Sequence, residues 1–315
     1  MGCVTALALV LGGGVTYVAL NRGGEDPTAA STTSSPSEPT KETPETPSGS
    51  ETEEPEFTVV SPIDVPPGDV EELTTVMATS PLTEGSLPDV ADCELPATPV
   101  DHDTAELPAV LDAAAGCLNQ VWATTSSDRG LPWEPLRVQV YTWPDIPASE
   151  CESSSFEEDF PRVCSLDATV YWPAGHGLGA SRDDAADVPS AYVWDLSYLI
   201  MISVAWNSSL TAYFLALSEQ ISPEDPLSSE VWRRFNLQMR CLAAASTMQL
   251  PSAARPSAEL RDHLLDETNW GTGDPPQTLE PASRVRWLTA GFESDGELSA
   301  CNTWNAPAED VAPAP

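Results

Sequence analysis

Leu196-Ser-Tyr-Leu-Ile-Met-Ile-Ser-Val-Ala-Trp-Asn-Ser-Ser-Leu-Thr-Ala-Tyr-Phe-Leu-Ala-Leu217 is an uncharged run, and the organisation of the chain can be read outward from it. A run of this length and composition meets the first criterion for a membrane span. The polar residues Asn207, Ser208 and Ser209 in its middle favour a different structure. We therefore expect a helix that is buried in the core of a globular domain.

The composition divides the chain around this helix. From Gly23 to Val90, Thr, Ser, Pro and Glu dominate, and few large apolar residues offset the entropy cost of ordering the chain. We predict a disordered linker over 23–90, one globular domain over 91–305 and a disordered tail over 306–315. A domain of that length is long enough to bury a single core.

The residues before the linker form another uncharged run, Val4–Leu20. Its length is near the lower limit for a helix that crosses a bilayer, and Gly12, Gly13 and Gly14 weaken its helical propensity. The alternative is a cleaved signal peptide, although no basic segment precedes the run. We predict a transmembrane anchor over 1–22, which makes the cell membrane a partner of the chain.

Six of the seven cysteines lie in the predicted domain, and an even number suits disulfides in an oxidising compartment. Six cysteines permit about fifteen pairings. Chain order and spacing favour Cys93 with Cys117, Cys151 with Cys164, and Cys241 with Cys301. If these pairs form, the domain lies outside the cytoplasm.

The net charge of −36 argues against nucleic acid as a partner. Proteins that neutralise phosphates carry clustered Lys and Arg, and this chain has 13 basic residues against 49 acidic ones.

Periodicity predicts the other elements of the domain. Apolar residues at helical spacing indicate a helix over 107–125, and alternation indicates neighbouring strands over 137–143 and 168–172. Further helices are expected over 230–248, with a serine N-cap, and over 258–266 and 281–290. The fold class is α+β, predominantly helical with a small sheet.

Three segments downstream of the uncharged helix share a spacing with known proteins. They are Asn236-Leu237-Gln238-Met239-Arg240-Cys241, Arg284-Val285-Arg286-Trp287-Leu288-Thr289-Ala290-Gly291-Phe292 and Cys301-Asn302-Thr303-Trp304. Together with Trp206–Leu210, they resemble the neutral zinc metallopeptidases of the bacterial envelope. The resemblance implies a zincin-like domain.

The family carries His-Glu-x-x-His on the active helix and a glutamate ligand on the next. In this chain the two histidine positions hold Trp206 and Leu210, the general-base position holds Asn207, and the third-ligand position holds Asn236. Indole and isobutyl groups cannot bind zinc, and an Asn amide is a poor ligand and no base. His102, His176 and His263 are too far apart in the chain to substitute. We expect no catalytic residue, no metal and no cofactor.

The expected protein is thus a membrane-anchored pseudopeptidase with its domain outside the cytoplasm. Its role would be binding or scaffolding in the cell envelope, with an envelope protein or a peptide as ligand. Trp133, Trp143 and Trp172 are candidates to line a groove for that ligand, and core packing is their alternative role. Two other functions stay open: a hydrolase that uses carboxylates such as Asp195 or Glu230, and a purely structural envelope protein.

Overall fold

The computed structural model describes residues 6–11, 14–19, 55–100, 105–176, 185–273 and 278–312. Residues 101–104, which include His102, lie outside the described residues, as do residues 23–54 of the predicted linker.

The N-terminal run forms two strands. Ala6–Leu11 (β1) pairs antiparallel with Gly14–Ala19 (β2), from Ala6 opposite Ala19 to Leu11 opposite Gly14. The predicted transmembrane helix over 1–22 is therefore not confirmed. The sequence offers a reason, because three consecutive glycines disfavour a continuous helix and β-branched residues in the second half favour a strand.

The second half of the predicted linker is folded, so the prediction of disorder over 23–90 is wrong for residues 55–90. Val70–Ala78 (α1) begins at a capping box. Asp69 accepts from the N–H of Glu72 at 3.0 Å, and the Glu72 carboxylate accepts from the N–H of Asp69 at 2.9 Å.

One side of α1 is buried in the main core, at Leu73, Val76 and Met77. These residues have helical spacing and follow a capping signal, but both features are diluted when composition is averaged over a long Pro-rich stretch. The ordered domain therefore begins before the predicted boundary at 91.

Six more helices build the body of the domain. They are Leu107–Asp128 (α2), Val188–Asn207 (α3), Leu210–Glu219 (α4), Pro226–Met248 (α5), Ala258–Leu264 (α6) and Pro281–Phe292 (α7). The four helices predicted from periodicity are confirmed, with boundaries that differ by a few residues. The predicted serine N-cap of α5 is wrong, because Asp225 caps this helix by accepting from the N–H of Leu227 at 2.9 Å and Pro226 occupies its first turn.

A three-stranded sheet lies beside the helices, with strand order β3-β5-β4. Its strands are Arg137–Tyr141 (β3), Arg162–Cys164 (β4) and Thr169–Pro173 (β5). β3 runs parallel to β5 and β4 runs antiparallel to it. The two predicted strands and their adjacency are confirmed, whereas the three residues of β4 were too few to give a period.

α3 is the central helix of the core and packs against α2, α5 and β4. It is apolar on every side because it has neighbours on every side. Within the described residues it is the one helix long and apolar enough to cross a membrane, and 89% of its apolar window is buried inside the protein. The expected burial is confirmed, but the expected single helix is interrupted after Asn207.

Three disulfides fasten irregular segments to regular ones. They join Cys93 to Cys117 on α2, Cys151 to Cys164 on β4, and Cys241 on α5 to Cys301, with Cα–Cα distances of 5.3, 5.8 and 5.3 Å. All three predicted pairings are confirmed. Such a set is typical of proteins that fold in an oxidising compartment.

The last residues before 313 pack onto α5 and α7, so the prediction of a disordered tail is wrong for 306–312. The side chain of Arg233 donates to the carbonyl of Val311 at 2.7 Å, and the indole of Trp287 donates to the carbonyl of Asp310 at 2.9 Å. Val311 is fully buried. The donors lie far from the tail in sequence, so local composition does not reveal them.

Candidate functional site

Trp206 and Leu210 stand at the two positions where the family resemblance expects histidine ligands, and they lie on different helices. α3 ends at Asn207, and α4 begins at Leu210. Between them Ser209 has a positive φ of 65°, which terminates the helical path. Trp206 and Leu210 therefore do not share a helix face, which is the geometry that a His-x-x-x-His pair requires.

A segment from the predicted linker stabilises this interruption. The Ser209 hydroxyl accepts from the N–H of Val60 at 3.0 Å and donates to the Val60 carbonyl at 2.9 Å. One turn further on, the hydroxyl of Tyr213 accepts from the N–H of Thr58 at 3.1 Å and donates to its carbonyl at 3.0 Å. Two side chains of the helix pair thus satisfy the backbone of an extended segment, as a neighbouring strand would.

The aligned amide side chains bond to their own helices. Asn207 donates to the carbonyl of Ser203 at 2.9 Å, and Asn236 donates to that of Trp232 at 3.0 Å. Leu210 is fully buried and Asn236 almost so. Within the described part of the chain, no three His, Cys, Asp or Glu side chains group to hold a metal ion. The four positions thus form no donor set around a common point.

The retained motif residues do come together, and their contacts are structural. The indole of Trp304 donates to the side-chain oxygen of Gln238 at 2.9 Å in the core. A Cβ on Gly291 of α7 would lie 2.2 Å from the carbonyl oxygen of Cys241 on α5. These segments therefore fasten α7 and the C-terminal turns to α5.

A cavity of about 220 Å³ lies between α3, α5 and the sheet, and the sequence did not predict it. Its walls are mainly aromatic. The lining residues are Phe160, Pro161, Trp172, His176, Trp194, Asp195, Tyr198, Leu199, Arg240 and Trp270.

Arg240 lines this cavity and Arg284 lies beside its Trp270 wall, each over an aromatic ring. The guanidinium carbon of Arg240 is 4.5 Å from the ring centroid of Tyr198, and that of Arg284 is 4.5 Å from the ring centroid of Trp270. Arg240 is only 4% exposed. No salt bridge to a carboxylate is found for either guanidinium within the described residues.

Burial dominates the electrostatics of these groups. It lowers the pKa of Arg240, and it lowers that of Arg284 to about 9, helped by the neighbouring charge of Arg240. Burial raises the pKa of the Tyr198 hydroxyl, opposed by the two arginine charges. Arg240 is thus a buried cation with a second cation near it, and within the described residues no carboxylate forms an ion pair with either, which is costly for a folded protein.

The signal for this site was present in the α5 sequence. Arg240 is the charged residue within a run of buried residues from Phe235 to Thr247. An arginine on that face of a core helix requires a partner. The family resemblance identifies Arg240 only as a position where the family motif has an acidic residue and this chain does not. Trp172, a groove candidate, does line the cavity, whereas Trp143 is partly exposed outside it and Trp133 packs at the edge of the core.

The carboxylates considered for a different hydrolase lie apart. Asp195 lines the aromatic cavity, where His176 also lies with its Nδ1 2.6 Å from the carbonyl oxygen of Asp159. Glu230 forms an ion pair with Arg234 at 2.8 Å on α5. The structure therefore does not join Asp195 and Glu230 in one site.

Two larger cavities are lined by other residues. One of about 450 Å³ surrounds Arg137, Asp167 and Tyr171, and one of about 760 Å³ lies between the Cys93–Pro99 segment and the start of α3. At Asp167 burial would raise the pKa, but hydrogen bonds from the Glu150 N–H and from the Tyr171 and Ser149 hydroxyls outweigh it and lower the pKa.

No family model, curated protein or solved structure matches the chain.

Proposed function

We propose that the chain is a membrane-anchored protein of the cell envelope whose peptidase-like domain lies outside the cytoplasm and binds a ligand without hydrolysing it. The observation that carries the proposal is the interruption between Asn207 and Leu210. Two zinc-binding histidines would need helical spacing across Trp206–Leu210, and the interruption removes that spacing. The side chains of these five residues also cannot bind zinc.

The packing at these positions supports loss of catalysis, because apolar side chains fill the space that an empty metal site would leave open. Phe214 and Phe235 stack at 4.3 Å between ring centroids where α4 meets α5, one residue before Asn236. Leu210 adds further apolar volume at the start of α4. Filling a disused site with apolar side chains stabilises a fold at the expense of function.

The location outside the cytoplasm is supported by the three disulfides. The anchor is inferred from the uncharged sequence at 4–20. The retained motif residues support the family resemblance, because Gln238, Gly291 and Trp304 make close contacts that tie distant segments of the chain together.

A hydrolysis assay tests the proposal. The full chain, produced in an oxidising compartment, is incubated with a mixture of internally quenched peptides, with and without added zinc. We expect no chelator-sensitive cleavage. Zinc-dependent cleavage that is lost in the Asn236→Ala variant and kept in a Glu230→Ala variant would contradict the proposal.

A further inference from the structure

We infer that the aromatic cavity between α3, α5 and the sheet binds the carboxylate group of a small organic acid with one apolar ring or side chain. The inference deepens the proposed binding function and rests on it.

The first argument is the charge of the cavity. Arg240 is only 4% exposed, lines the cavity and has no anionic partner within the described residues. Arg284 brings a second guanidinium to the Trp270 ring, 4.5 Å from the ring centroid, and Arg240 lies 5.8 Å from the same centroid. A buried pair of like charges is stable only if an anion reduces their repulsion. A bound carboxylate supplies that missing charge.

The second argument is a surplus of hydrogen-bond donors. The Nε atoms of Arg240 and Arg284, the hydroxyl of Tyr198 and the indole nitrogen of Trp172 are buried and have no hydrogen-bond partner among the residues that the structure describes. Arg240, Tyr198 and Trp172 line the same cavity. Buried polar atoms are normally satisfied, so several unpaired donors around one space indicate an acceptor that belongs there.

Asp195 also faces this cavity, and it makes its own contact. No ion pair joins it to Arg240. The carboxylate of Asp195 and the guanidinium of Arg240 are therefore not in ion-pair contact.

The third argument is size and wall chemistry. A volume of about 220 Å³ is below the ~300–1,000 Å³ of pockets that hold drug-sized ligands. Trp194, Trp270 and Phe160 supply flat apolar walls, and Phe160 is 37% exposed, so the cavity reaches solvent along an apolar edge. One ring or side chain fits such walls beside the anionic group.

Carboxylate is favoured over phosphate by charge and shape. A chain with a net charge of −36 repels a dianion more strongly than a monoanion. The planar fork of a guanidinium matches the two oxygens of a carboxylate. The carboxylate could belong to a free acid or to the C-terminal residue of a peptide, and the experiment must separate these sources.

Calorimetric titration of the full chain tests the inference with 3-phenylpropionate as the probe. We expect saturable binding, and we expect at least about tenfold weaker binding of the neutral 3-phenylpropionamide, because charge-assisted hydrogen bonds are lost. Inorganic phosphate should not compete. Equal binding of acid and amide, or displacement of the acid by phosphate, would overturn the inference.

Two peptide arms identify the source of the carboxylate. N-acetyl-Ala-Phe with a free C-terminus is compared with its C-terminal amide. Tighter binding of the free-acid peptide than of 3-phenylpropionate assigns the cavity to peptide C-termini, and weaker binding assigns it to free acids. Either result supports a carboxylate site, whereas the absence of binding by all carboxylates contradicts it.

Variants locate the site. Arg240→Met should weaken binding by about 10- to 100-fold and should raise the melting temperature, because an uncompensated buried charge is removed. Tyr198→Phe, which keeps the ring under Arg240, should weaken binding by about tenfold without unfolding the protein. The matched control is Arg286→Met, since Arg286 is an exposed arginine of α7 that pairs with Asp310.

Unchanged binding in Tyr198→Phe and Arg240→Met would overturn the inference, and if Arg240→Met fails to fold, Tyr198→Phe alone decides. Failure here is distinguishable from failure of the proposed function. Zinc-dependent cleavage would contradict the proposed function and leave carboxylate binding as measured.

Discussion

The hydroxyl of Ser209 bonds to both backbone polar groups of Val60, accepting from its N–H at 3.0 Å and donating to its carbonyl at 2.9 Å. One residue in a left-handed conformation thus ends a core helix and fixes a segment 149 positions earlier in the chain. The interruption between α3 and α4 therefore coincides with the attachment of the N-terminal segment.

Replacing Ser209 tests this attachment. Ser209→Gly removes both hydrogen bonds but accommodates the positive φ, so we expect a loss of about 1–3 kcal/mol in the free energy of unfolding. Ser209→Ala should lose about 1 kcal/mol more, because alanine is strained at positive φ. Urea unfolding measures both values. Equal stability of the alanine and glycine variants would contradict the assigned backbone conformation.

The packing of α1 gives a second prediction. Leu73→Ala should destabilise the domain by about 2–5 kcal/mol, because Leu73 is fully buried in the main core. Thr75→Ala on the exposed side of the same helix is the control and should change stability by less than about 0.5 kcal/mol. If both variants unfold like the unmodified protein, residues 55–90 form a tether, as their composition predicts.

Gly291 gives a third prediction. Gly291→Ala should destabilise the protein by at least about 1–3 kcal/mol, because the added methyl group overlaps the Cys241 carbonyl and the Cβ of Ala244. Gly116 lies in the middle of α2, where an added methyl group would meet nothing within 4 Å. Gly116→Ala should therefore stabilise the protein by up to about 1 kcal/mol. Thermal unfolding of the two variants should show shifts of opposite sign.

We expect the Asp167 carboxylate to account for part of the loss of stability of the folded protein at acid pH. Its pKa in the folded protein lies below the ordinary value of 3.8, because hydrogen bonds to the ionised carboxylate outweigh the effect of burial. Its stabilising contribution is complete above that value and is lost as the pH falls through the lowered pKa. Asp167→Asn should destabilise the protein at pH 7 and flatten the decline in stability below about pH 4.

The matched control is Asp145→Asn, which changes an exposed carboxylate two residues after Trp143. Urea unfolding from pH 7 to acid conditions compares the two variants. A decline in stability that is as steep in Asp167→Asn as in the unmodified protein would contradict the role of Asp167.

Much of the fold could be predicted because its signals are local. The α2 period and the alternation in β3 involve neighbouring residues, and each disulfide joins cysteines that are consecutive along the domain. The interruption at Ser209 could not be predicted this way, because two serines in an apolar run fit a continuous helix equally well. Its cause is Val60, which lies far away in sequence.

The candidate sites also differ in how much of each can be read from local sequence. The expectation of no zinc site rests on the chemistry of the side chains at 206, 207, 210 and 236, which can be read from the sequence alone. The aromatic cavity depends on Arg240, Tyr198 and Trp172 meeting from two helices and a strand. No pattern within one element brings these three residues together, so the tertiary fold was needed to identify them.

Elemental analysis of the purified full chain measures its zinc content and so tests whether the domain holds a zinc ion. The comparison is with the Trp206→His, Asn207→Glu, Leu210→His and Asn236→Glu variant. We expect no stoichiometric zinc in the unmodified chain, and none bound tightly by the fourfold variant, because the interruption at Ser209 separates the two introduced histidines. One zinc per unmodified chain would contradict this expectation.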